Sequence, residues 1–164
     1  MDNNLEDLFI RILNENKNKI LRICRIYAHN IHAREDLFQE VCINIWRSLP
    51  SFRGESSINT WMYRITLNVC MQFSVLDKKK AKPNSLDGIE IEVVDTPVDE
   101  TIEKLYASIS QLNEAEKPLI QLYLDDLPYK EISKIMGISE NLVAVKINRI
   151  KNKLSNLLNG KRHE

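Results

Sequence analysis

Residues Tyr129–Leu154 read YKEISKIMGISENLVAVKINRIKNKL. Ile132, Ile135 and Met136 make one short apolar face, and Gly137 suits the left-handed residue that ends such a helix. Ile138 plugs the corner, and Ser139 caps a second helix. In that helix Val143, Ile147, Ile150 and Leu154 share one face, at spacings of four, three and four. Asn141, Val145 and Asn148 point the opposite way. Lys146, Arg149 and Lys153 line one flank and Lys151 the other. A dry back, a small polar front and basic flanks are the layout of a helix that enters the major groove and meets phosphates on either side. An ordinary amphipathic hairpin with a solvated basic face has the same spacing. The motif also does not separate a repressor from any other DNA reader.

Working back toward the N-terminus, two further helical patterns precede this hairpin, whose own helices span roughly 129–136 and 139–158. The two patterns span roughly 98–109 and 114–124, with Asn113 placed to cap the second and Pro128 to start the first helix of the hairpin. Before them, residues 84–103 hold Asp87, Glu90, Glu92, Asp95, Asp99, Glu100 and Glu103 with no Lys or Arg. Residues 83–96 lack a helical stripe and read as a flexible acidic linker. The whole chain has 23 basic and 23 acidic residues, which argues against a nucleic-acid partner until that segment is set aside. Without it, 16 acids face the 23 bases, so an acidic tether masks two mildly basic lobes.

The first lobe has its own helical patterns. Leu5, Leu8, Phe9, Ile12 and Leu13 recur at helical spacing, and Ile20, Ile23, Cys24 and Tyr27 continue it, as one long or two abutting helices to about His29. A second helix runs from about Ala33 to Ser48 on Leu37, Val41, Ile45 and Trp46. Pro50 and Gly54 then break the chain. Ser56 or Ser57 caps a third helix, which carries Trp61, Ile65, Leu67, Val69 and Phe73 and ends near Lys78–Lys80. The fold class is therefore all-α: two small helical domains, 1–76 and 98–164, joined by the linker 77–97.

Chemistry is sparse. Cys24, Cys42 and Cys70 are far apart in sequence, lie in apolar helical patterns and read as buried reduced thiols. His29 and His32 have no ligand partners at metal spacing. No nucleophile–base pair, metal set or cofactor motif is evident, so no catalytic residue, metal or cofactor is assigned. No long apolar run or signal-peptide pattern is present, and the expected compartment is the cytoplasm.

Two clusters in Ala33–Cys70, AREDLFQEVCINIWRSLPSFRGESSINTWMYRITLNVC, point to partners instead. Asp36, Gln39 and Glu40 crowd the outer face of the second helix and read as a patch that docks on another protein. Phe52, Arg53 and Trp61 combine aromatic and cationic side chains around a loop, a set that stacks unpaired bases and holds a backbone. A core role for Trp61 is the competing reading.

These stretches resemble a known family. DLFQEV, IWRSLPSFRGESSINTWMYRI and Leu67–Asn68 resemble region 2 of bacterial sigma factors of the extracytoplasmic-function (ECF) group. LPYKEISKIMGISENLVAVKINRIKNKL resembles their region 4. The resemblance implies a region 2 three-helix bundle followed by a region 4 helix-turn-helix. It also implies a protein that binds core RNA polymerase, recognises −35 and −10 promoter elements and helps melt DNA to start transcription of a specific regulon. Asp36, Gln39, Glu40 and Trp46 would dock on the polymerase clamp. Phe52, Arg53, Ser57, Asn59, Thr60, Trp61, Arg64, Lys78 and Lys79 would meet the melted −10 element. Ser139, Asn141, Leu142, Val145, Lys146, Asn148, Arg149, Lys151 and Lys153 would meet the −35 duplex.

Members are often held inactive by an anti-sigma factor, frequently a membrane protein, and the resemblance implies one for this chain; the chain itself carries no membrane segment. Two departures stand out. Ala144 occupies a position where members commonly have a base, and VCMQFSVLDKKK brings its lysines late. A stand-alone regulator would need neither the Asp36–Glu40 patch nor the FRGESSINTW loop.

Overall fold

The computed structural model describes residues 3–80 and 99–160. Among them are seven α-helices and no strand: α1 (Asn3–Tyr27), α2 (Ile31–Ser48), α3 (Ile58–Lys80), α4 (Glu100–Ser110), α5 (Glu116–Leu124), α6 (Tyr129–Met136) and α7 (Glu140–Leu158). A single 3-10 turn, Leu49–Ser51, follows α2. Residues 81–98, most of the expected linker, lie outside the described residues. Helix α3 runs on to Lys80, into the stretch expected as linker.

The N-terminal pattern forms one continuous helix. Its polar middle, NENKNK, does not break because Asn16 turns inward and its amide donates to the Ile12 carbonyl at 2.9 Å, while Lys17 and Asn18 stay in water. Ile12, Ile20, Ile23, Cys24 and Tyr27 are buried along one stripe. Asn30 caps α2 by accepting from the Ala33 amide at 2.8 Å, an arrangement worth about 1 kcal/mol. Leu37, Val41 and Ile45, one turn apart, pack onto α1 and α3. Of the two candidate caps for α3, Ser57 takes the role: its hydroxyl accepts from the Thr60 amide at 3.1 Å.

In the second lobe Asn113 accepts from the amides of Ala115 and Glu116. Gly137 is left-handed at φ 69°, and Ser139 caps α7 through the Leu142 amide at 3.1 Å. Val143, Ile147, Ile150 and Leu154 are all buried.

The two lobes pack together, α3 on α6 and α1 on α4 and α5. Their seam is polar and directional. Arg22 reaches Asp125 at 2.9 Å and the Tyr63 hydroxyl donates to the same carboxylate at 3.1 Å. Arg25 pairs with Glu103 and lies over the Tyr106 ring. Ser74 donates to Glu114 at 3.2 Å. Burial first, then the Asp125 carboxylate, raises the Tyr63 phenol well above its ordinary range, so it stays a donor. The Lys117 ammonium, almost buried, pairs with Glu114 and faces the Tyr27 ring.

Candidate nucleic-acid interface and docking surface

Helix α7 turns its polar front to solvent. Asn141, Val145, Asn148 and Arg149 are exposed, Val145 at 48%, on the side away from the buried stripe. Leu142 is exposed beside them, and Ser139 sits at the cap. Lys146 and Arg149 line a shallow cleft with Asn113 and Glu116. The two bases expected further along are engaged within the lobe: Lys153 pairs with Glu116 at 2.8 Å, and Lys151 lies over the Tyr123 ring. The front therefore offers two amides and a branched apolar side chain to solvent, with the cations of Lys146 and Arg149 beside them. Asparagine pairs with adenine in bidentate fashion and valine meets a thymine methyl.

The loop before α3 is built around an aromatic pair. Phe52 and Trp61 lie with ring centroids 5.1 Å apart and planes tilted by 51°. Trp61 is half-buried, so it neither fills the core nor stands free. Ser51, Phe52, Arg53, Glu55, Ser56, Trp61 and Arg64 line a small groove beside the pair. Asn59 and Ser57 are exposed at its edge, with Arg53. Thr60 and Arg64 are held differently. Thr60 is 2% exposed and its hydroxyl donates to Glu131 of α6 at 3.2 Å. Arg64 donates to the Lys134 carbonyl at 3.2 Å. Lys78 and Lys79 belong to the last turn of α3, well away from the loop along the helix.

On the far side of the first lobe, Asp36, Gln39 and Glu40 are exposed together on α2. Trp46, 41% exposed, meets Phe9 edge to face at 5.2 Å. Sequence reasoning named Trp46 beside the polar residues of this face but missed Ile10 and Ile43. Ile10 and Ile43 are exposed, and with Phe9, Cys42 and Trp46 they line an apolar groove between α1 and α2. The signal was present: Ile10 and Ile43 fall outside the buried stripes of their own helices. The next turn of α1 supplies Glu6 at the groove's edge.

The cysteines make no site. Cys24 and Cys70 are buried and Cys42 half-buried, all with free thiols. Burial, then the neighbouring Cys24, pushes the Cys42 thiol up to about 11, which keeps it protonated and unreactive at neutral pH. Among the described residues there is no group of His, Cys, Asp and Glu that would hold a metal ion. No helix there is long and apolar enough to cross a membrane.

Comparison with known proteins gives matches over both lobes. The family model of Sigma-70 region 2 matches residues 12–75, and that of Sigma-70 region 4 matches residues 102–154. The chain is 30% identical over 136 residues to the ECF RNA polymerase sigma-E factor of Escherichia coli (strain K12), covering 74% of this chain and 71% of that protein. It is 29% identical over 162 residues to the ECF RNA polymerase sigma factor SigW of Bacillus subtilis (strain 168), covering 88% and 85%. Two solved structures share the fold. CnrH, in complex with the cytosolic domain of CnrY, superposes with a TM-score of 0.70 at 16% identity, over 96% of this chain and 91% of that one. The sigma factor RpoE of Bartonella quintana, in complex with the anti-sigma factor NepR, gives 0.71 at 20% identity, over 94% and 98%.

Proposed function

Since the chain belongs to the ECF group of sigma-70 factors, we propose that it is a dissociable specificity subunit of RNA polymerase that reads both promoter elements and helps open the DNA. Docking on core polymerase falls to the α2 face of Asp36, Gln39 and Glu40, extended by Trp46 and the apolar groove beside it. The −35 element is read as duplex by α7. Asn141, Val145 and Asn148 meet base edges, Ser139 and Leu142 flank them, and Lys146 and Arg149 meet phosphates. Lys151 and Lys153 join after leaving Tyr123 and Glu116. The −10 element is taken as single strand at the start of α3. Phe52 and Trp61 stack an extruded base, Arg53, Ser57, Asn59, Thr60 and Arg64 hold its neighbours, and Lys78 and Lys79 track the strand farther on.

The observation that carries this reading is the division of α7 into a fully buried stripe and an exposed front of asparagines beside Lys146 and Arg149. The protein acts in the cytoplasm, where polymerase is, and an anti-sigma partner, such as those named for the structural relatives, is proposed to hold it in reserve. Transcription in vitro with core polymerase on a promoter library tests the proposal. The native chain should select a subset of promoters. Reversing charge at Asp36 and Glu40 should weaken binding to core polymerase and leave the helical content unchanged. Transcription that is no more selective than with core enzyme alone would refute it.

A further inference from the structure

The basic flank of α7 already holds an anion, and it comes from the chain itself. Glu116, in the first turn of α5, receives the Lys153 ammonium on both carboxylate oxygens, at 2.8 and 3.2 Å. The Asn113 side-chain amide donates to the same carboxylate at 2.6 Å. Lys146 and Arg149 line the same shallow cleft. One carboxylate is thus held by an ammonium and a neutral N–H, with two further cations alongside. These are the donors that hold a nucleic-acid phosphate: cations for charge and a side-chain amide for direction.

The two sides of the ion pair are unequally free. The Lys153 side chain is 57% exposed, that of Glu116 only 19%. The lysine can swing to an anion arriving from solvent, while the carboxylate stays in the cleft wall. Asn113 is fixed by its role as a cap. Its Oδ1 accepts from the Ala115 and Glu116 amides, which leaves Nδ2 turned to the cleft. The helix dipole favours an acid in the first turn of α5, and that accounts for the charge of Glu116. It does not account for the engagement of that charge by α7.

We infer that this cleft is a phosphate site of the duplex-reading surface, that Asn113 is a contact in it, and that Glu116 occupies it in the free chain in place of DNA. The inference deepens the assignment of α7 under Proposed function and rests on it. A phosphate entering the cleft parts Lys153 from Glu116. The ammonium gains one anion and loses another, so Lys153 adds little net counterion release while Glu116 is charged. Glu116 thereby sets the strength and the salt dependence with which the chain holds any duplex, whatever its sequence.

Titration of the full chain with a fluorescent duplex of random sequence, over a range of salt concentrations, tests this. Glu116→Gln keeps an oxygen to accept from Asn113 and removes the charge. It should bind more tightly and steepen the slope of log affinity against log salt by about 0.9, the value for one added phosphate contact on B-DNA. In the Glu116→Gln background, Lys153→Ala should abolish that gain. Asn113→Ser, which keeps a capping oxygen, should weaken binding severalfold at an unchanged slope, because a neutral donor releases no counterion. Glu15→Gln, exposed on α1 in the other lobe, makes the same change in net charge and should leave the slope at the native value.

Unchanged or weaker binding by Glu116→Gln overturns the inference. So does an equal steepening by Glu15→Gln, which would reduce the effect to net charge. Native affinity in Asn113→Ser overturns the contact assigned to Asn113. Should Glu116→Gln lose its helical circular dichroism, Glu116→Ala, a good helix former, replaces it with the same outcomes. A steeper slope for the variant, beside a native chain that directs core polymerase to no promoter, would leave the phosphate site standing and refute only the proposed function. An unchanged slope beside normal promoter selection would do the reverse.

Discussion

The two surfaces proposed to meet DNA are found in opposite states. The front of α7 is open, with Asn141, Val145, Asn148 and Arg149 in solvent. The start of α3 is partly closed, with Thr60 buried under Glu131 and Arg64 tied to a carbonyl of α6. Residue type does not explain the contrast, since each surface sets polar side chains beside an exposed arginine, Arg149 on one and Arg53 on the other. Packing explains it. Helix α6 sits between them, with Ile132 and Ile135 facing inward and Glu131 and Lys134 facing α3. One short helix thus supports the open surface and covers the other.

The comparison is broken most severely by removing what holds the open face in place. Ile147 is fully buried in the α7 stripe, so Ile147→Ala should cost about 2–5 kcal/mol in urea unfolding, whereas Val145→Ala, two residues away on the exposed front, should stay within about 0.5 kcal/mol. Equal costs would mean that the two sides of α7 are not distinct.

A smaller effect sharpens the open face itself. Asn148→Ala should change which duplex is preferred, by about 1–3 kcal/mol if the asparagine makes a bidentate pair. Arg149→Ala should weaken every duplex alike and flatten the salt dependence. Titration of both full-length variants against a panel of duplexes checks this. A preference shifted by Arg149→Ala alone would mean that α7 sits in the groove rotated by about a third of a turn, with Arg149 rather than Asn148 toward the bases. The smallest effect belongs to Lys153. It is already paired with Glu116, so Lys153→Ala should change the salt slope less than Arg149→Ala does. A larger change would show that the pair dissolves on DNA and that Lys153 is a full phosphate contact.

Most of the helices were legible because their signals are local. Ser57, Asn113 and Ser139 each cap the helix that follows, and Gly137 takes the left-handed turn that only glycine adopts freely. The Asn30 cap was not read, and α2 begins at Ile31 rather than near Ala33. The α7 stripe was legible because its period is that of the helix. The seam was not, since Arg22 and Asp125 are 103 residues apart and Tyr63 and Asp125 are 62 apart, with no pattern linking them. Asp125 did leave a trace: an acid directly behind a helix C-terminus is electrostatically misplaced and calls for a cation from elsewhere. The exposure of Ile10 and Ile43 was missed for a related reason. An isoleucine off the stripe of its own helix is ambiguous until the neighbouring helix is in place.

The length of α6 has a consequence for cooperativity. Eight residues are too few to stay helical in water alone, so this helix exists because its neighbours hold it. Part of that support comes through the left-handed Gly137 joint to α7, and part comes from α3 across the seam. Separating the lobes withdraws the second part. Helix α6 then becomes the least protected element of its domain, and its backbone amides are the first to exchange with solvent. The same event loosens the helix preceding α7, so the two halves are linked through local unfolding as well as through contact.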